Sequence, residues 1–187
     1  MDHPDVRQAQ AADRAVVGDL WTALLDAQSD LDDRIGVADD ARERWENDFP
    51  MWLEDETARL YVAEDDDGTV VGFASARRWG PAPIYAESPE VFLDELYVRP
   101  EHRRQGYGTQ LVHAVRAWSD RVGARRVRLR VLTANADGRA FWAGQDAIPL
   151  SMTLTIEGEG ASDDEGVSES DAHEGTEKIG FRSERTS

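Results

Sequence analysis

Residues 96–111, "LYVRPEHRRQGYGTQL", constrain this chain more than any other stretch. A β-rich run ends at Val98, a proline follows at position 100, and helical periodicity begins beyond Gly106. Gly106 and Gly108 sit in the turn between them. The first N–H groups of a helix have no partner inside the helix and carry partial positive charge. Two glycines keep that turn free of side chains, so a bulky anion can lie directly on the backbone donors. Arg103 and Arg104 add charge beside them. The spacing predicts a pyrophosphate cradle built mainly from backbone. The same residues also suit a tight strand-to-helix turn in which the glycines supply positive φ and the arginines are ordinary surface. Neither the P-loop pattern GxxxxGK(S/T) nor the dinucleotide pattern GxGxxG is present.

Charge sharpens the point. The chain has 187 residues and a formal net charge of −17, with 38 acidic residues against 21 lysines and arginines, and Lys178 is its single lysine. Residues 99–130 reverse the trend, with arginines at 99, 103, 104, 116, 121, 125, 126, 128 and 130 against Glu101 and Asp120, a local balance of 9 − 2 = +7. Positive charge gathered inside an acidic chain asks for an anion. Elsewhere, abundant carboxylates with almost no lysine suit a protein that stays soluble in a very salty cytoplasm, where screening acts over about 3 Å at 1 M salt. An acidic patch attracting cationic substrates is the alternative. The net field repels phosphate, which argues against nucleic acid as a partner.

Cysteine is absent and the four histidines show no ligand spacing, so disulfides, thiolate nucleophiles and a metal site are not expected. The N-terminus "MDHPDVRQAQ" lacks the features of a signal peptide, and no apolar run approaches the roughly 18 residues of a membrane span. A cytoplasmic protein without a membrane partner is expected.

Residues 5–10 read as a first strand, and residues 13–31 as a helix with Val17, Leu20, Trp21, Leu24, Leu25 and Leu31 at helical spacing. A second helix carries Trp45, Phe49 and Trp52, with Pro50 expected to kink or restart it. "ARLYVAED" and "TVVGFASARRWG" flank "DDG" as an antiparallel hairpin. "PAPIYAESPE" is a loop and "VFLDELYV" the next strand. Leu111, Val115, Trp118 and Val122 mark an amphipathic helix. "RRVRLRVLT" predicts a strand with Val127, Leu129 and Val131 on one face and Arg126, Arg128 and Arg130 on the other. A short helix, "ANADGRAFWAG", and a last strand, "AIPLSMTLTIE", complete a domain over residues 1–156. Residues 157–187 hold ten acids and three bases, which reads as a mostly disordered, solvating tail.

"LYVRPEHRRQGYGTQLV" resembles the acetyl-CoA signature of the GNAT superfamily of N-acetyltransferases, matching it at Leu96, Val98, Pro100, Arg103, Gly106 and Gly108. The order of elements over residues 5–156 matches too. The resemblance implies an α/β fold with a mixed, mostly antiparallel sheet of six to seven strands, helices on both faces, and a splay between strands four and five. It implies that the backbone of Leu96, Tyr97 and Val98 pairs with pantetheine. The amides of Arg104, Gln105, Gly106, Tyr107, Gly108 and Thr109 would hold the pyrophosphate, with Arg103 closing the loop and Asn135 facing pantetheine. Local charge adds Arg125 or Arg126 as a partner for the ribose 3′-phosphate.

Two departures bear on catalysis. Relatives often end the fourth helix in "FYEKLGF"-like sequence, whose Tyr protonates the CoA thiolate, and here Trp142 stands at that place. An indole N–H is not a usable acid near neutrality, which leaves the role to water, Tyr97 or another tyrosine. "TEKIGFR" at residues 176–182 resembles the missing ending, as a displaced strand or by coincidence. The base that takes the acceptor's proton is a carboxylate on the signature strand, Asp94 or Glu95. Strand alternation sends these two to opposite faces and, set beside the family, favours Asp94. Both also suit a salt-adapted surface. Arg130 replaces a Glu common in acetyltransferases of peptide N-termini. Trp79 and Tyr85 are candidates for the acceptor pocket, while the spacing of Trp45 and Trp52 suits the core.

The resemblance therefore implies acetyl transfer from acetyl-CoA to a primary amine of a small molecule, by direct attack, in an enzyme that dimerises with itself. A non-catalytic acyl-CoA-binding module and a protein N-terminal or lysine acetyltransferase are the alternatives. A purely structural acidic domain would leave the +7 segment without a purpose.

Overall fold

A computed structural model describes residues 5–80 and 89–156. Alternating apolar residues form β1 (Asp5–Gln8), β2 (Ala58–Glu64), β3 (Val70–Trp79), β4 (Glu90–Val98) and β5 (Val127–Leu129). The helices are α1 (Arg14–Ser29), α2 (Ala41–Glu54), α3 (Tyr107–Arg121) and α4 (Ala136–Ala143). The sheet order is β1-β2-β3-β4-β5. The first four strands pair antiparallel, and β4 pairs β5 in parallel. The β2–β3 turn is organised by Asp65, whose Oδ1 accepts from the amides of Asp67 and Thr69, and Gly68 supplies the positive φ the turn needs.

Helices cover both faces. Leu111, Val115 and Trp118 of α3 are fully buried against Val71, Ala74, Ala76, Val91 and Leu93. The other face carries Val17 and Leu20 of α1 with Trp45 and Phe49 of α2, packed on Leu60, Val62 and Phe73. Trp52 is half-buried against that second core. Pro50 lies inside an α2 that runs on without a restart, on its exposed side.

The sheet has five strands among the described residues, fewer than the six to seven expected. Residues 147–156 take no regular secondary structure. Their alternation predicts a strand face, but a strand exists only with a hydrogen-bonded neighbour, and Ile148, Leu150, Met152, Leu154 and Ile156 are exposed. The compact unit spans Met1–Ile148. The acidic tail, "TEKIGFR" and Tyr85 lie outside the described residues. Among the described residues no helix is long and apolar enough to cross a membrane.

Candidate active site

β4 meets β5 at three positions, Val91–Val127, Phe92–Arg128 and Leu93–Leu129. β5 ends at Leu129, so beyond Leu93 that side of β4 has no strand partner among the described residues. From Glu95 to Val98, β4 is paired with β3 alone, so one edge of its backbone has no strand beside it. An extended polar chain can add to such an edge as a strand would.

Beyond β4 the chain enters the glycine turn. Gly106 caps α3 at φ +96°, with no side-chain acceptor on the N–H groups of the first turn. Arg104 also holds a positive φ of 61°. The Arg103 Nε donates to the Val98 carbonyl at 3.0 Å, and its guanidinium lies over the Tyr97 ring. The loop is thus closed by Arg103, while the amides of Tyr107, Gly108 and Thr109 keep their donors for another partner. Gly108 has a second role. A Cβ there would approach the Phe141 ring of α4 at 3.3 Å, so this glycine also sets how closely α3 and α4 pack.

Asn135 caps α4, its Oδ1 accepting from the Gly138 amide at 2.7 Å. Trp142 packs on the core beneath α3 and edge-on to Phe141.

The arginine cluster divides once folded. Arg103 and Arg104 stay at the turn. Arg126 and Arg128 pair with the buried Glu90 at 2.9 and 3.3 Å, and Arg128 also lies over Trp79. Arg116 donates to the Gln145 carbonyl and Arg121 to the Tyr61 hydroxyl. Arg126 therefore stands just before β5, beside the opposite end of β4 from the glycine turn. Trp79 is exposed, with the Arg128 guanidinium over its ring.

The catalytic candidates are rearranged by a bulge. Ser75 lies opposite Glu95 and Ala76 opposite Leu93, which leaves Asp94 as the extra residue on β4. Alternation is reset across it. Val91 and Leu93 face the α3 core before the bulge, and Leu96 and Val98 face it afterwards. Glu95 turns to the α1 face, where its carboxylate accepts from Trp21 Nε1 at 2.7 Å and from the Ser75 hydroxyl. Asp94 meets Arg77 at 2.9 Å, two residues along β3 from Ser75 and hence on the same face. The expectation of opposite faces is corrected: the two carboxylates are neighbours.

Their states differ. Both Glu95 oxygens are hydrogen-bonded. Asp94 has one oxygen on Arg77, while its buried Oδ2 has no partner. Burial pushes the Asp94 carboxyl up to about 6, with Arg77 and Arg130 opposing the rise and Glu95 adding to it. A carboxylate with a free oxygen and a pKa near neutrality can take a proton from an amine. No local mark in the sequence announced the bulge, so the proximity of the pair, and Ser75 and Trp21 as partners of Glu95, escaped sequence reasoning.

Known proteins agree with this architecture. Residues 21–145 match the model of the acetyltransferase (GNAT) family. An aminoglycoside N(6')-acetyltransferase type 1 from Stenotrophomonas maltophilia is 32% identical over 142 residues, covering 73% of this chain and 84% of that protein. A solved aminoglycoside N-acetyltransferase in complex with CoA shares the fold with a TM-score of 0.65 and 23% identity, over 84% of this chain and 95% of that one. A tetramutant of the BH1408 protein from Bacillus halodurans superposes with a TM-score of 0.73 at 16% identity, over 82% and 99% of the two chains. With the unpaired edge of β4 and the glycine turn, the family match makes this chain a member of the acetyltransferase (GNAT) family, an N-acetyltransferase that takes its acetyl group from acetyl-CoA.

Proposed function

We propose that the chain acetylates a primary amine of an aminoglycoside or a similar polycationic small molecule. The observation that carries this reading is the free β4 edge running from Asp94 to the uncapped turn at Gly106, with an unpartnered carboxylate oxygen at its start. The Stenotrophomonas maltophilia relative supports the acceptor class, as does a net charge of −17, which attracts cations.

In this reading the backbone of Leu96, Tyr97 and Val98 pairs with pantetheine. The amides from Arg104 to Thr109, including Gln105 and Tyr107, hold the pyrophosphate, and Asn135 offers its carboxamide N–H to the pantetheine arm. Asp94 accepts the proton of the acceptor ammonium. The freed nitrogen forms a bond to the thioester carbonyl carbon, the carbon–sulfur bond breaks, and the thiolate leaves with its electron pair. Water protonates it, because Trp142 offers no usable acid. Glu95, with both oxygens occupied, ties α1 to β4.

The test is release of free CoA from acetyl-CoA with neamine, with a lysine-containing peptide, and with no acceptor. Turnover with neamine alone supports the reading. Turnover with peptide alone moves the acceptor to protein, and binding without turnover makes the chain an acyl-CoA-binding module.

Two finer readings belong here. The acidic, lysine-poor composition fits a salt-rich cytoplasm, and a melting temperature that climbs with molar KCl is expected. The exposed alternation of Ile148, Leu150, Met152, Leu154 and Ile156 fits burial in a homodimer, which sedimentation of the full chain reads directly.

A further inference from the structure

We propose that Arg77 is a positioning residue for acetyl transfer, pinning one oxygen of Asp94 and so fixing the direction of the carboxyl that takes the acceptor's proton. The proposal rests on Asp94 being the base.

The geometry is specific. Arg77 Nη2 meets Asp94 Oδ1 at 2.9 Å, while Oδ2 is buried and unpartnered. Asp94 is the extra residue of the bulge, so regular pairing does not set its direction as it does for its neighbours. A side-chain tether from β3 supplies what the ladder does not. Three charged groups face the carboxyl: Arg77 from β3, Glu95 beside it on β4, and Arg130 just beyond β5. Glu95 is held away by Trp21 of α1 and Ser75 of β3, and Arg130 lies over the Phe92 ring. Arg77 is the one of these that touches Asp94.

Its guanidinium is half-exposed, with 54% of the side chain accessible, but the carboxylate end is only 14% accessible. An exposed ion pair has little effect, whereas one with a buried end is screened far less. Arg77 therefore acts on the charged state of Asp94 as well as on its direction. It favours the ionised form, which is the form that accepts a proton.

The test uses the full chain and three variants, Arg77→Met, Arg77→Lys and Asp94→Asn, with two readouts. The first is the titration of the Asp94 carboxyl followed by its ¹³C shift, which needs no acceptor. The second is the pH profile of kcat/KM with neamine. In Arg77→Met the midpoint and the acid limb should both move about one pH unit upward, the low end of what a close opposite charge imposes. Calorimetric affinity for acetyl-CoA should stay within twofold, and Arg77→Lys should recover most of the shift. An unmoved midpoint in a folded Arg77→Met overturns the proposal. If Asp94→Asn keeps its kcat, the base assignment itself has failed, and the titration still reports whether Arg77 holds the carboxyl.

Discussion

Asp94 and Glu95 are consecutive in sequence yet share one face of the sheet, the first on Arg77 and the second on Trp21 and Ser75. The bulge that brings them together also separates their tasks. Asp94→Asn should lower kcat by about 10²–10⁴, the usual contribution of a general base, with acetyl-CoA affinity unchanged. Glu95→Ala should instead weaken the fold. It strands the buried Ser75 hydroxyl, at about 1–3 kcal/mol, and frees the half-buried Trp21 N–H. Denaturant midpoints beside initial rates would separate the two effects, and an Asp94→Asn enzyme of wild-type kcat would remove Asp94 from the chemistry.

The same carboxyl ties activity to stability with opposite signs. Its folded pKa of about 6 lies above its ordinary 3.8, so the native state binds the proton more tightly than the unfolded chain. Stability conferred by this group is full below its unfolded value and is lost as pH rises through about 6. At 1.36 kcal/mol per unit, the loss by pH 8 is about 2–3 kcal/mol. Asp94→Asn should therefore melt higher than wild type at pH 8 and match it near pH 4, while wild-type kcat/KM falls as pH drops below about 6. Equal melting temperatures at pH 8 would contradict this.

Asp13 behaves in the reverse way. It is buried, its two oxygens meet both terminal nitrogens of Arg7 at 2.7 and 2.9 Å, and Arg7 also reaches Glu64. The Arg7 hydrogen bonds hold the Asp13 carboxyl below its ordinary range. Its contribution is present above that ordinary range and is lost as pH falls through the depressed folded value. Asp13→Ala leaves Arg7 unpaired there and should cost about 1.5–3 kcal/mol at pH 7, a typical loss for hydrogen bonds to a charged group. Chemical denaturation at pH 7 and at successively lower pH measures the loss and its decline in acid.

The two turn glycines should respond differently. Gly106 sits at φ +96°, so Gly106→Ala should lower stability by about 1–2 kcal/mol and weaken acetyl-CoA binding. Gly108 has no such φ, and its constraint is the Phe141 ring at 3.3 Å. Gly108→Ala should be tolerated with a small repacking, whereas Gly108→Trp should push α4 away and unfold at lower temperature. Calorimetric binding and melting curves of both variants would show whether the loss at 108 is one of packing.

Much of the fold is legible from local pattern. The period of Leu111, Val115 and Trp118 places α3 on the core, and "DDG" places the hairpin turn, because both signals act within a few residues of themselves. The uncapped start of α3 follows from Gly106 for the same reason. By itself the sequence thus determined the succession of elements and where a diphosphate can meet backbone donors. The tertiary structure decided everything set by pairing between distant segments. The register of β4 against β3 made Asp94 an extra residue and reversed the face that alternation assigns to its neighbour. The approach of α4 gave Gly108 its second duty. Glu90, buried at the start of β4, drew Arg126 and Arg128 away from the turn that their number seemed to serve. Alternation and charge counts run along one chain, whereas a bulge, a helix contact or a buried ion pair is fixed by a partner tens of residues away.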